Sequence, residues 1–398
     1  MIEGSAARRL LVLLALLVWF ALPLRGQPAP VFLILSDLHL NPFEKGGLPK
    51  RGQDSSAQLV ESALDEARRQ CPQPQFILVT GDLLAHRWEE LYAEHKPHPG
   101  FDEFTVQTVA DIASEIQERW PDTPVLTVPG NDDSFDGNYQ VRPGGQFLKR
   151  FSEIWAPLSG SPLLVRETLA EGGYSSFPMP GRPDRQLIGL NTVFFSANRV
   201  GVDDGSRELQ WLDEELTRAA SSGKRVWLAM HIPPGLDNYY TARAFEAGRP
   251  DPLELWRPEY LAGFLQVLER HSGLVEVAFA GHTHRDDFRL ILPDVPCKIV
   301  PAVSPVYGNN PAFLVYRVDL TNYQAYYLDL DNPTWKLEYD FHETYGLPTL
   351  DIARLEAMLV PGSPAADAFS RYYSVRGTPE ITEANLEVYR NSMLHLTP

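Results

Sequence analysis

Cysteine is scarce in this chain: Cys71 and Cys297 are the only two among 398 residues. Neither lies in a Cys-x-x-Cys or Cys/His cluster, which excludes a thiolate metal site, and two cysteines cannot build a disulfide framework. They are read as buried or unpaired thiols, with pairing in an oxidising compartment left open. Basic charge is also short, with 35 Lys and Arg against 52 Asp and Glu and a net charge of −17. That balance excludes non-specific binding of a nucleic-acid polymer, which needs a basic footprint. An anionic substrate gains no attraction from the chain as a whole, so local positive charge has to come from bound metal. A membrane-length apolar run is missing too. The unbroken stretch Leu10 to Leu22 has 13 residues, too short to cross about 30 Å of hydrocarbon comfortably. Preceded by Arg8 and Arg9, it matches the apolar region of a secretory signal. Residues 1–26 are therefore assigned to a signal peptide or, since Pro23 to Pro30 lacks a clean small-x-small cleavage site, to an uncleaved N-terminal anchor. Either reading sends the remainder out of the cytoplasm, as a secreted, periplasmic or membrane-anchored protein. Internal repeats and low-complexity tracts are absent.

What is present is ordinary globular composition, 44% apolar and 22% charged, arranged as alternating strand-like and helix-like segments. Continuous apolar runs at Val31 to Leu35, Phe76 to Val79, Val125 to Val128, Leu187 to Leu190, Val226 to Met230 and Val275 to Ala280 predict strands covered on both faces. Between them, Asp54 to Gln70, Phe104 to Trp120, Ser206 to Ser222 and Pro258 to about His271 carry helical periodicity with stop signals in Pro72, Pro121 and Gly223. The pattern predicts an α/β fold, a layered β-sandwich flanked by helices. Phe313 to Leu320 and Gln324 to Leu330 read as a hairpin. After Asp331 the chain reads as helical and polar, with Thr378-Pro379-Glu380 as a helix start. The expected domains are a catalytic domain over 31–330 and a small C-terminal helical subdomain over 331–398. The stretches His86 to Gly100 and Tyr239 to Pro252 read as loops at the rim of a site.

Five short polar signatures follow the strand-like runs: Asp37-Leu38-His39, Gly81-Asp82, Gly130-Asn131-Asp132-Asp133, Met230-His231 and Gly281-His282-Thr283-His284. In open α/β sheets ligands gather beyond the carboxyl ends of strands, so the repetition predicts that all five converge on one face. Any one of these signatures alone is more often a turn or a hydrogen-bonding device; their joint occurrence reverses that reading. Carboxylate, imidazole and amide-oxygen donors without thiolate suit two divalent metal ions, zinc first, with manganese or iron as alternatives. Asp82 is the expected bridge. Asp37, His39 and His284 then complete one site, and Asn131, His231 and His282 the other. Such a pair generates hydroxide at neutral pH and polarises phosphoryl oxygens, so the expected chemistry is hydrolysis of a phosphate ester by a metal-bridging hydroxide, with no covalent intermediate.

The five signatures together resemble those of the calcineurin-like metallophosphoesterases. Within them, Gly81-Asp82-Leu83-Leu84-Ala85-His86, His231-Ile232-Pro233-Pro234-Gly235, Asp287-Phe288 after the His-Thr-His, Tyr307-Gly308-Asn309-Asn310-Pro311 and His342-Glu343-Thr344-Tyr345-Gly346-Leu347 resemble the acid sphingomyelinase-like phosphodiesterases. The resemblance covers roughly residues 31 to 350. The saposin-type domain of sphingomyelinase and most of the family's cysteines have no counterpart here. The resemblance implies hydrolysis of a phosphodiester, with a phospholipid head group or nucleotide derivative as substrate, and it implies that His86 lies near the leaving group.

One position departs from the family. The histidine usual after Gly-Asn is here Asp132. An unperturbed Asp has a pKa of about 3.9 and His about 6.5, and nearby cations favour an ionised Asp, a poor acid at neutral pH. Three consequences stand open: His86 serves as the general acid alone, the enzyme works at acidic pH, or its leaving groups need little protonation. His86 and Asp132 are the candidate catalytic residues. Two other functions stay open beside the diesterase, a phosphomonoesterase or polyphosphatase on the same metals, and a binding ectodomain in which Asp132 marks impaired catalysis. Tyr139, Asn238, Tyr239 and Tyr240 are candidate substrate contacts, whereas His95, His98, His271 and His342 are read as surface or local hydrogen-bonding groups. Membrane contact would come through the anchor or a lipid substrate.

Overall fold

The computed structural model describes residues 29–200, 204–249, 252–378 and 381–396. The expected signal peptide or anchor, residues 1–26, lies outside the described residues. Among the described residues no helix is long and apolar enough to cross a membrane. In chain order the strands are β1 (Val31–Leu35), β2 (Ile77–Val79), β3 (Val125–Thr127), β4 (Ser175–Pro178), β5 (Arg185–Gly189) and β6 (Arg225–Ala229). They continue with β7 (Val275–Ala280), β8 (Asp287–Leu292), β9 (Val295–Ile299), β10 (Ala312–Arg317), β11 (Tyr323–Asp329) and β12 (Thr334–Asp340).

These strands form two six-stranded sheets, ordered β12-β11-β10-β1-β2-β3 and β4-β5-β6-β7-β9-β8. In the first, β1, β2 and β3 run parallel while β10 joins β1 antiparallel, Phe32 opposite Tyr316. In the second, β5, β6, β7 and β9 are parallel and β4 and β8 close the edges antiparallel. The inner faces meet through aromatic side chains. Phe32 of β1 lies 5.5 Å from Trp227 of β6 and 5.6 Å from Phe279 of β7, and Tyr316 of β10 lies 5.4 Å from Phe279. Trp227 is thus a core residue, and the sheets stack as the two layers of a sandwich. Parallel pairing requires crossovers, and helices Ala57–Gln70 and Phe101–Arg119 supply them for β1–β2 and β2–β3. The fold is the expected α/β sandwich, and the hairpin forms as β10 and β11.

Several boundaries differ from expectation. The first helix starts at Ala57, because Ser56 accepts the Leu59 N–H as its cap; Asp54 stays outside and is used elsewhere. Asp204 rather than Ser206 precedes helix Gly205–Ser221. Helix Glu383–Leu394 starts from Thr382, where the Thr382 side chain and Asn385 form a capping box; Pro379 and Glu380 of the expected helix start lie outside the described residues. The stretch after Asp331 is not helical at once. Thr334–Asp340 is the edge strand β12, hidden in the sequence because it is polar and breaks alternation: Leu337 is 49% exposed while Glu338 is buried. The register shift opposite Ala325 and Tyr326 accounts for that inversion. The two rim stretches are largely helical, as Trp88–His95 and Asn238–Glu246. Cys71 and Cys297 are both buried and unpaired, which decides the pairing left open by the sequence. His95 and His342 bond locally, to Leu91 O and Leu347 O, whereas His271 Nε2 lies 2.8 Å from Asp213 of helix Gly205–Ser221.

Candidate metal centre

All five signatures leave the carboxyl ends of β1, β2, β3, β6 and β7, and the loops bond to one another before any side chain is considered. Asp37 N donates to Gly81 O at 3.0 Å, His39 N to Asp82 O at 3.0 Å, and Gly281 N to His231 O at 2.9 Å. The turns are so tight that five non-glycine residues take left-handed backbone: Asp37 (φ 50°), His39 (41°), Asp82 (53°), His282 (73°) and His284 (59°). Such conformations persist only where surrounding bonds over-determine them, and they collect at functional sites. Gly130 is required by contact, since a Cβ there would lie 2.0 Å from Asp82 Oδ1.

The seven expected donors meet in this buried knot. His39 Nε2 lies 3.1 Å from His284 Nε2, 3.4 Å from Asp82 Oδ2 and 3.9 Å from Asp37 Oδ1. His284 Nε2 lies 3.4 Å from Asp37 Oδ1. On the other side, His231 Nε2 is 3.1 Å from Asp82 Oδ2 and 3.0 Å from Asn131 Oδ1. His282 offers its ring to the same group as Asp82 and His231, with donor atoms within 4.8 Å of one another. Asp82 belongs to both halves.

The chemistry of this donor set asks for cations. Leu84 O accepts from His39 Nδ1 at 2.9 Å, and Thr80 O accepts from His231 Nδ1 at 2.7 Å. In their neutral form both rings therefore turn Nε2 lone pairs inward, each held through its other ring nitrogen as metal-binding histidines are. Lone pairs then face lone pairs at 3.0–3.4 Å. Donors held about 2.1 Å from one tetrahedral ion sit about 3.4 Å apart, so the spacing suits a shared ion. The electrostatics agree. Burial works against charge on His231, yet the Asp82 carboxylate and then Asp37 lift it to about 10, while burial and then the His86 charge push His39 down to about 4. Asp82 is held below the usual carboxylate range: burial opposes this, but His231 and His39 outweigh it. The carboxylates call for positive charge at this point, which divalent ions would supply.

Beside the knot stands His86, stacked on His39 at 4.0 Å between ring centroids. Its Nδ1 is 2.8 Å from Asp54 Oδ1, and its Nε2 lies 3.2 Å from the Tyr307 hydroxyl and 3.9 Å from Asp132 Oδ2. Burial lowers its pKa, but the Asp54 bond and the Asp132 charge outweigh it and bring His86 up to about 9. Asp132 itself is raised well above the ordinary value, first by burial and then by the Asp82 charge. That shift belongs to the protein groups alone; cations bound beside it would act in the opposite sense and favour the ionised carboxylate.

Three residues that sequence reasoning did not assign complete the arrangement. Asp54 orients His86. Asp133 accepts from Leu83 N at 2.9 Å, Leu84 N at 3.2 Å and Gly130 N at 2.9 Å, fastening the Asp82 loop to the Asn131 loop. Tyr307 covers the His86 and His284 rings. Asp133 and Tyr307 had a signal, inside the Gly-Asn-Asp-Asp signature and the Tyr-Gly-Asn-Asn-Pro phrase; Asp54 had none. A cavity of about 250 Å³ opens next to His282, walled by Tyr139, Tyr239, Tyr240, Tyr307 and Arg285. Asn238, read as a substrate contact, is buried and donates to Asp287 instead.

With this geometry in hand, comparison with known proteins is specific. The family model for calcineurin-like phosphoesterase matches residues 30–286. The human acid sphingomyelinase-like phosphodiesterase 3b is 27% identical, over 88% of this chain and 83% of that protein. Sphingomyelinase phosphodiesterase C of Dictyostelium discoideum is 28% identical over 77% and 72%. The cyclic GMP-AMP phosphodiesterase SMPDL3A of Bos taurus is 26% identical over 75% and 67%.

Proposed function

The chain belongs to the calcineurin-like phosphoesterase family, and from that premise we propose that it hydrolyses small phosphodiesters at a binuclear divalent metal centre. The observation that carries the reading is the convergence of Asp37, His39, Asp82, Asn131, His231, His282 and His284 into one buried cluster with inward-facing lone pairs. Asp37, His39 and His284 would hold one ion, Asn131, His231 and His282 the other, and Asp82 both. Zinc fits this donor set, as do manganese and iron. Bound there, the ions would supply a lowered pKa to water and positive charge to the phosphoryl oxygens.

The chain's own residues supply the rest. His86 presents Nε2 on the open side of the cluster, with Asp54 holding Nδ1 and Asp132 favouring the charged ring, so a proton stands ready for a departing alkoxide. The Tyr307 hydroxyl lies 3.2 Å from that nitrogen, within hydrogen-bonding reach. The tyrosine-walled cavity beside His282 would receive one of the two groups esterified to phosphate. Relatives named for sphingomyelinase and for cyclic GMP-AMP phosphodiesterase activity support a phospholipid head group or a nucleotide as the class of diester. Export through the apolar N-terminal run fits an enzyme of this kind.

The test compares bis-p-nitrophenyl phosphate with p-nitrophenyl phosphate after loading with zinc or manganese. The diester is expected to turn over faster, and activity is expected to vanish with chelation. Faster monoester turnover would overturn the diesterase reading, and metal-loaded protein inert from pH 4 to 8 would overturn the enzymatic one.

A further inference from the structure

The Asn131 amide has two nearly isosteric ends, and only its oxygen can serve a cation. Its Oδ1 faces His231 Nε2 at 3.0 Å, while its Nδ2 donates to Asn138 Oδ1 at 2.9 Å and to Asp132 Oδ2 at 3.2 Å. These two acceptors differ in what they enforce. Asn138 is itself an amide and can rotate its own side chain by half a turn, offering a donor in place of an acceptor. It accommodates either orientation of Asn131. Asp132, when ionised, has acceptors only and is satisfied by one orientation alone. It is buried at 5% exposure, and its backbone N–H donates to Asp82 Oδ1 at 2.9 Å, which ties its backbone to the shared carboxylate.

Resting on the proposed binuclear centre, we infer that Asp132 is a positioning residue for the second ion, fixing the Asn131 amide with its oxygen toward the metal. The substitution that removes a histidine from the expected place of the leaving-group acid thereby gives the second site a rigid amide ligand. The carboxylate acts through a side-chain hydrogen bond to a ligand, the type of outer contact whose loss weakens metal binding by about 10- to 100-fold.

The experiment is calorimetric titration of chelator-stripped, full-length protein with Mn²⁺ alone. Wild type is expected to take two equivalents. Asp132→Asn keeps the shape but can present a donor to Asn131, and it is expected to weaken the second equivalent by about tenfold or more. Asn138→Ala is expected to change it less than threefold. Charge and orientation are separated by repeating Asp132→Asn in an Asn131→Asp background, where the ligand has two equivalent oxygens and no donor end. The penalty is expected to disappear there. A penalty of the same size in both backgrounds, or none in the wild-type background, overturns the positioning role. Fewer than two equivalents in the wild type overturns the binuclear reading itself and this inference with it.

Discussion

Asp54 grips His86 at two points, taking the backbone N–H with Oδ2 at 3.0 Å and the ring Nδ1 with Oδ1 at 2.8 Å. The bond fixes which ring nitrogen faces the cluster and favours the protonated imidazole, whose pKa is raised to about 9 against the pull of burial. A general acid works below its pKa, so turnover is expected to hold through neutral pH and to fall as pH rises through the value set by these carboxylates. Asp54→Asn is expected to bring that alkaline limb down by about one pH unit or more. His86→Ala is expected to lower kcat by about 10²- to 10⁴-fold on substrates with alkoxide leaving groups, and much less with p-nitrophenolate. Profiles of kcat against pH on both substrate types check this; an unmoved limb in Asp54→Asn would remove the acid role from His86.

Binding of ions to the folded centre alone must also show as stability. Anything that binds the native state contributes RT ln(1 + [L]/Kd), about 2.7 kcal/mol at a hundredfold excess over Kd. Adding Zn²⁺ or Mn²⁺ to stripped protein is expected to raise Tm by several degrees. Asp82→Ala, which removes the residue shared by both halves of the cluster, is expected to abolish that rise and to leave less than one ion per chain by elemental analysis.

How much of this was visible in the sequence follows from range. The five strands that carry the signatures, and the residues just beyond them, were legible because each is a local pattern, an apolar run followed by a polar signature, and the rule for α/β sheets converts that pattern into convergence; β4, β8 and β9 carry no such pattern and were not expected. Asp54 was not, since it contacts His86 32 positions later and looked like part of a helix start. Asp133 was masked by the more conspicuous Asn131-Asp132 before it. The left-handed backbone at Asp37, His39, Asp82, His282 and His284 has no glycine to announce it. The edge strand Thr334–Asp340 was lost because backbone pairing with β11, not side-chain burial, decides its conformation.

Asp133 touches no donor of the cluster by its own side chain, yet it ties two loops that carry donors. Its carboxylate satisfies three buried backbone N–H groups, those of Leu83, Leu84 and Gly130. Asp133→Ala would strand all three, at about 1–3 kcal/mol for each unsatisfied group. The expected loss is about 3 kcal/mol or more of unfolding free energy, read from urea titration of the stripped protein. Because Leu84 O also orients His39, metal affinity should fall along with stability. Loss of stability with undiminished affinity would show that the loop junction does not set the donor geometry.

The last prediction concerns a carboxyl far from the chemistry. Glu208 is buried in helix Gly205–Ser221, where Oε1 accepts the Asn191 N–H at 2.7 Å and Oε2 has no hydrogen-bond partner. Burial raises its pKa to about 8, with the Asn191 bond opposing. The folded protein therefore holds a proton that the unfolded chain, with a glutamate pKa of about 4.3, has already released at neutral pH. Where the native state binds more protons, unfolding free energy falls as pH rises. The contribution is fully present below about pH 4, declines by at most about 1.4 kcal/mol for each pH unit above it, and is gone by about pH 8. Glu208→Gln keeps the oxygen for Asn191 and removes the ionisation, so its stability should exceed that of wild type increasingly toward pH 8. Urea titrations of both proteins at pH 5, 6.5 and 8, without metal, measure the difference. Parallel stability profiles would mean that Glu208 is ionised in the folded state and that its free oxygen is served by water.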